Sequence, residues 1–216
     1  MKNKIVPIIQ IPHPQLRAVA RPVPTVDTAM LTLAQKLADT LKHTSNPVGV
    51  GLAAPQIDHS WRVFATQLDD QIELFFNPVI TKHSQSVVLG EDEADPDLEG
   101  CLSIPKLYGP VPRWQWVELE FDQLLNRDAP DTARFQRASR RFADFPARVI
   151  QHEHDHLDGI LFIDYCVQYD LPVYTADNRS EKMTLMPPEL LATLHHSTLV
   201  QTQSSSAKPT ANQTKE

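Results

Sequence analysis

The chain has 216 residues, 41% of them hydrophobic, which suits one domain of ordinary size with a real core and a tail. Twenty basic residues against 27 acidic ones leave a net charge of −7, which argues against a nucleic-acid substrate held mainly through its phosphates. No apolar run is long enough to be read as a membrane span, so no membrane partner is expected.

The first residues, Met1 to Pro7, begin basic but soon meet Pro7, Pro12 and Pro14, which does not match a signal peptide. Residues 8 to 24 are rich in proline and are expected to be extended, because proline fixes its own φ and lacks an amide donor. A helix follows: Met30, Leu31, Leu33, Leu37 and Leu41 recur at helical spacing between Asp27 and His43, with Asp27 as its N-cap. It is read as a core helix without chemistry.

Segments 61 to 68, 73 to 81 and 114 to 121 are rich in Val, Phe, Trp and Leu with partial alternation and read as strands. Arg127, Arg134, Arg137, Arg140, Arg141 and Arg148 make the next stretch basic; an RNA contact and a solvated strand and loop both fit, and the second is preferred. Pro146 suits the first turn of a late helix and Gly159 its end, which places that helix at about 146 to 157. Further on, Pro187-Pro188-Glu189-Leu190-Leu191 starts a short helix, and 202 to 216 is a polar stretch expected to be disordered. Strands around one late helix give an α+β fold. The expected organisation is a catalytic unit over 1–169, an extension over 170–201 and a disordered tail over 202–216.

Inside the late helix, His152, Glu153 and His156 form an H-E-x-x-H unit. Helical positions four apart share a face, so both imidazoles reach one metal ion while Glu153 sits beside it to handle protons. His154 points to another face and is read as a bystander. Two histidines leave a metal under-coordinated, so the third ligand decides the class. A histidine at 162 is ruled out by Phe162. Glu181 is the nearest downstream carboxylate, but it lies in a polar stretch with no helical apolar pattern. Cys101, preceded by a glycine that allows close approach, is the better donor, and one Cys with two His leaves the open position of a catalytic site. Cys166 is the only other cysteine; with Cys101 used as a thiolate no disulfide framework is left, which fits the reducing cytosol. Phe145, Arg148 and Val149 precede His152 by seven, four and three residues and share its face, which predicts an apolar pocket beside the metal.

Three segments together carry a specific resemblance: Gly49-Val50-Gly51-Leu52-Ala53-Ala54-Pro55-Gln56, Glu99-Gly100-Cys101-Leu102-Ser103 and Gln151-His152-Glu153-His154-Asp155-His156-Leu157-Asp158-Gly159. In kind and order they look like the three motifs of the peptide deformylase family. Ile11 to Arg17 resembles the family's N-terminal segment, with His13 where an aspartate is common. The match covers roughly residues 5 to 165 and implies antiparallel β-sheets wrapped around a central metal-binding helix.

The activity so implied is hydrolysis of the N-terminal formyl group from N-formylmethionyl nascent peptides, releasing formate. A divalent metal supplies a nucleophilic water at neutral pH. By the resemblance Cys101, His152 and His156 hold that metal, Fe²⁺ first, with Zn²⁺ also compatible with thiolate and imidazole ligands. Glu153 takes and returns the proton. The side-chain amide of Gln56 and the backbone N–H of Leu102 face the oxyanion. The segment with Val50 and Gly51 pairs with substrate as an added strand, Gly100 lies beside it, and Phe145 and Val149 line the methionine pocket. The ribosome is a further partner that the resemblance allows. Three positions depart from the family: Lys106 where glycine is common, Tyr108 where some members carry a substrate-contacting arginine, and Asn126 in place of a turn glycine. Glu91 to Leu98 looks like an acidic insertion before the cysteine motif, and Asp155 is expected to orient a ligand or to pair with Arg113. Two rivals stay open: a protein that binds modified N-termini without turnover, against which Glu153 argues, and a metallopeptidase working through Glu181.

Overall fold

The proline-rich N-terminal segment runs extended across the surface, interrupted by one 3₁₀ turn at Pro14–Arg17. The protein is described here from a computed structural model, over residues 4–205 except 46, 70, 93–94 and 178–181. Glu181, weighed above as a ligand, and residues 206–216 of the expected tail lie outside the described residues.

Helix α1 spans Thr28–Lys42, and the side chain of Asp27 caps it by accepting from the amide of Met30 at 2.7 Å. Its Met30, Leu33, Leu37 and Leu41 are buried against Leu52, Val63 and Phe76, while Leu31 sits half-buried on the flank. That apolar stripe is what the helical spacing demanded.

The strands follow in order: β1 (Gly51–Ala53), β2 (Val63–Leu68), β3 (Gln71–His83), β4 (Val87–Val88), β5 (Leu98–Cys101), β6 (Ile104–Pro110), β7 (Arg113–Trp114), β8 (Trp116–Leu125) and β9 (Arg134–Ala143). Helix α2 (Asp144–Leu157), helix α3 (Phe162–Gln168), strands β10 (Tyr174–Ala176) and β11 (Met183–Leu185), and helix α4 (Pro188–Ser205) complete the described residues. One antiparallel sheet has the order β1-β2-β3-β8-β9, a second β11-β10-β6-β5, and β4 pairs with β7. β1 and β5 are therefore both edge strands.

Strand β9 pairs with β8 along its whole length and is largely solvated. Three of its arginines pair with neighbouring strands: Arg137 with Glu120 and Asp122, Arg140 with Glu73, and Arg141 with Glu118. The solvated-strand reading fits β9, whereas Arg148, counted in the same basic stretch, is buried on α2. Lys106 and Asn126 have φ of +67° and +54°, the left-handed region, which accounts for glycine being the common residue at both places.

Helix α2 is buried on two sides. Ala147, Ile150 and Leu157 pack with Phe64, Phe75, Val117, Leu119 and Phe121 of the larger sheet. Pro146 lies in its first turn, and the helix stops at Leu157, followed by Gly159 at φ +72°. A Cβ at Gly159 would lie 2.5 Å from the carbonyl oxygen of Arg17, so this glycine is fixed by conformation and by space. The C-terminal region differs from expectation. It holds α3, which the sequence did not suggest, and α4 has 18 residues and runs through Gln201–Ser205, into the stretch read as disordered. Arg17 anchors α4 by bonding both Asp164 and Thr198.

Candidate active site

Glu99 and Cys101 stand two apart on β5, so both side chains leave the same face of that strand, towards α2. Cys101 ends the strand, and Leu102–Ser103 form the two-residue turn into β6. From the other side α2 presents His152, Glu153 and His156 on one face. The Sγ of Cys101 lies 3.3 Å from Nε2 of His156, and one ligand atom from each of Cys101, His152 and His156 falls within 4.8 Å of the others. Nδ1 of His152 donates to Oε2 of Glu99 at 2.9 Å, which turns Nε2 towards the cluster.

The electrostatics suit a cation. Burial disfavours a charged His152, but Cys101 and Glu99 outweigh it and hold a proton on the ring well above the ordinary range. The negative groups that attract that proton attract a divalent ion in its place. Burial, then the neighbouring His152, push His156 well below its usual range, so it is neutral as a ligand must be. Burial also opposes the ionised form of Glu99, yet the Arg113 guanidinium and His152 hold its carboxyl below the usual carboxylate range. Arg113 grips Glu99 with two bonds of 2.8 Å and also pairs with Asp155, as expected for Asp155.

Glu153 is 3% exposed, and burial raises its carboxyl to about 7, the range a general base needs. Its Oε2 is buried with no hydrogen-bond partner among the described residues. An unpaired buried oxygen beside a Cys/His/His cluster fits a polar reactant at that point. Gln56, 1% exposed, has its amide locked: Oε1 accepts from the Ala53 amide at 2.7 Å, and Nε2 points to Cys101 Sγ at 3.5 Å and Ser103 Oγ at 3.2 Å.

These groups open on a cavity of about 430 Å³ between the edges β1 and β5. Val50, Gly51, Gln56, Gly100, Cys101, Leu102, Phe145, Val149, His152 and Glu153, each singled out from sequence, all line it. His154 faces the opposite side of α2, 3.4 Å from Asp158. The sequence offers only close approach to a metal as the reason for glycine at 100; the structure adds a second, since a Cβ there would lie 2.6 Å from the ring of Tyr108, its cross-strand partner. Sequence reasoning gave no role to Glu99 or Ser103 at the cluster, and read Arg148 only as sharing the face of His152. For Glu99 the signal was present, since strand alternation puts it on the face of Cys101.

A cysteine, two histidines and a buried glutamate between two sheet edges define a metal-dependent hydrolase site. The family model for polypeptide deformylase matches residues 5–171. A peptide deformylase of Nostoc sp. is 34% identical over 195 residues, covering 85% of this chain and 98% of the relative. One from Rhodopirellula baltica is 38% identical over 162 residues, covering 73% and 71%. Among solved structures, a class I type b peptide deformylase from Acinetobacter baumannii with Met-Ala-Ser bound superimposes with a TM-score of 0.63 at 28% identity, covering 76% of this chain and 99% of that one. A peptide deformylase from Legionella pneumophila gives 0.63 at 26% identity over 95% and 99%. The chain belongs to the polypeptide deformylase family. It is an enzyme that removes formyl groups from the N-termini of peptides. Among the described residues no helix is long and apolar enough to cross a membrane.

Proposed function

We propose that this cleft deformylates N-formylmethionyl ends of newly synthesised chains, with Fe²⁺ held by Cys101 Sγ and the Nε2 atoms of His152 and His156. Thiolate with imidazole accommodates Zn²⁺ as well; Fe²⁺ is put first on the family resemblance. When bound, a divalent ion polarises the formyl carbonyl and brings the pKa of a water towards about 7.

The chain's own residues supply the rest. Glu153 accepts a proton from the attacking water and returns it to the departing amine, so formamide and water become formate and a free N-terminus. Nε2 of Gln56 and the N–H of Leu102 donate to the oxyanion that forms between these steps. Gln56 arrives oriented, because the Ala53 amide already holds its oxygen. The edge of β1 offers backbone for a peptide to add as a strand, with Val50 and Gly51 on one side and Gly100 on the other. Phe145, half exposed at the mouth, and Val149, buried deeper, receive the methionine side chain. Nascent chains as substrate place the encounter near the ribosome in the cytosol, a reducing compartment that suits free Cys101 and Cys166.

The observation that carries this reading is the unpaired, buried Glu153 oxygen beside the Cys101, His152 and His156 cluster. Formate release from a formyl-Met peptide tests it, using protein purified anaerobically with Fe²⁺. Glu153→Ala retains metal and loses turnover, whereas Cys101→Ser loses both. Turnover that survives Cys101→Ser, or cleavage within an unformylated peptide, overturns the assignment.

A further inference from the structure

The metal cluster is split between two elements: Cys101 sits on β5, and both histidines sit on α2. The register of strand against helix therefore fixes the distance from sulfur to imidazole. Glu99 bridges the two, and it does so at two successive turns of the helix. Its Oε2 takes Nδ1 of His152, and its Oε1 takes Nη1 of Arg148, one turn earlier, at 3.0 Å.

Arg148 is 6% exposed and is engaged on every side. The same Nη1 donates to the carbonyl of Val111 at 2.8 Å, Nη2 reaches the carbonyl of Val88 at 3.4 Å, and Nε lies 3.8 Å from Asp97 in the acidic stretch. One planar guanidinium thus ties β4, the start of β5 and the segment before β7 to the metal helix. The planar fork of arginine allows this; the point charge of lysine does not. Arg113 alone holds both oxygens of Glu99, but it stands on β7 and reaches the helix only through Asp155, at the end of α2 away from Arg148. Arg148 stands on the helix itself.

We propose that Arg148 is a positioning residue for the metal cluster: by clamping Glu99 to α2 it sets His152 against Cys101. This deepens the ligand reading given above and rests on it. Partners of this kind, which touch a ligand's partner and not the metal, typically change metal affinity or activity by about 10- to 100-fold.

The test uses metal-free full-length protein titrated with Co²⁺ against a competing chelator, with the visible spectrum of the bound ion recorded. Arg148→Met keeps the apolar stem and removes every donor. We expect Co²⁺ affinity about 10-fold weaker or worse and altered ligand-field bands. Arg148→Lys keeps stem and charge without the fork, and is expected to fall between the two; it gives the answer if Arg148→Met does not fold. Parent-like affinity and spectrum in either folded variant overturn the proposal, even if the melting temperature drops, because a purely structural role moves only the latter. Cys101→Ser separates the two levels. If it binds Co²⁺ like the parent, the ligand reading itself fails; if it does not and the Arg148 variants behave as the parent, only the clamp fails.

Discussion

The carboxylate of Glu153 rests on the backbone of Gly51: a Cβ at that glycine would lie 2.2 Å from Oε1 and 2.6 Å from Cδ. The glycine of β1 thereby fixes where the carboxylate proposed as the base stands. Gly51 has no left-handed φ, so alanine is acceptable to the backbone and the conflict is with Glu153 alone. Gly51→Ala is expected to displace the carboxylate by about 1 Å and reduce kcat about 100-fold, a typical cost of such a misplacement. Metal content measured on the same sample should match the parent. A variant with parent-like kcat would mean that Glu153 finds an equally good position, and that the contact is packing only.

The raised carboxyl of Glu153 has a consequence for stability. Its folded value is about 7 against an ordinary 4.5, through burial first. A carboxylate with a raised folded pKa binds more protons folded than unfolded between those values, so this group favours folding below about 4.5. The contribution is lost as pH rises towards about 7, and the full penalty is present above it. Glu153→Gln removes the titration. In metal-free protein the variant should be more stable than the parent at pH 8, by on the order of 3 kcal/mol, and the gap should close towards pH 5. Paired melting curves across that range check this; a gap independent of pH removes the titration of Glu153 as its cause.

The two cysteines differ in surroundings. Cys166 lies in the core between α3 and β6, packed on Gly109, where a Cβ would meet its sulfur at 2.8 Å, and burial raises its thiol to about 12. Cys101 lines the cleft. An alkylating reagent at pH 8 should therefore label metal-free folded protein at one site, and Cys101→Ser should remove nearly all of the label. Mass spectrometry of the labelled peptides decides it, and fast labelling of Cys166 would contradict the burial argument.

What the sequence disclosed and what it hid divide along physical lines. Helices α1 and α2 each carry an apolar stripe over three to four turns, and Asp27 and Gly159 mark a start and a stop, so their extents were readable within two residues. Helix α3 has seven residues, Phe162–Gln168, too few for a period to emerge, and it is held by Phe162, Ile163 and Cys166 packing beneath β6. Helix α4 was read at its start, Pro187 to Leu191, but not over its length: its polar residues show no stripe, and what seats it is remote in sequence, Arg17 reaching Thr198. The same holds at the site. His152, Glu153 and His156 announce themselves through helical spacing, but Glu99, Arg113 and Arg148 converge from β5, β7 and α2, and no local pattern encodes that convergence.

The substrate pocket offers the last test. Val149 is 4% exposed and stands one turn before His152, whereas Phe145 is 50% exposed at the rim. If the first side chain of the peptide enters here, filling the Val149 position shortens the space beside the reacting carbon without touching Cys101, His152 or Glu153. Val149→Phe should then raise KM for a formyl-Met peptide by about 10- to 100-fold, since each methylene a pocket gains or loses is worth roughly 1–3 kcal/mol. A formyl-Ala peptide, whose side chain does not reach so far, should lose much less, so the preference between the two should narrow or invert. Phe145→Ala, by contrast, removes a rim contact that is half solvated already and should change the ratio by less than about 10-fold. Measuring kcat/KM for both peptides with both variants separates the pocket from general damage: an equal loss on the two substrates would place the methionine side chain elsewhere in the cleft.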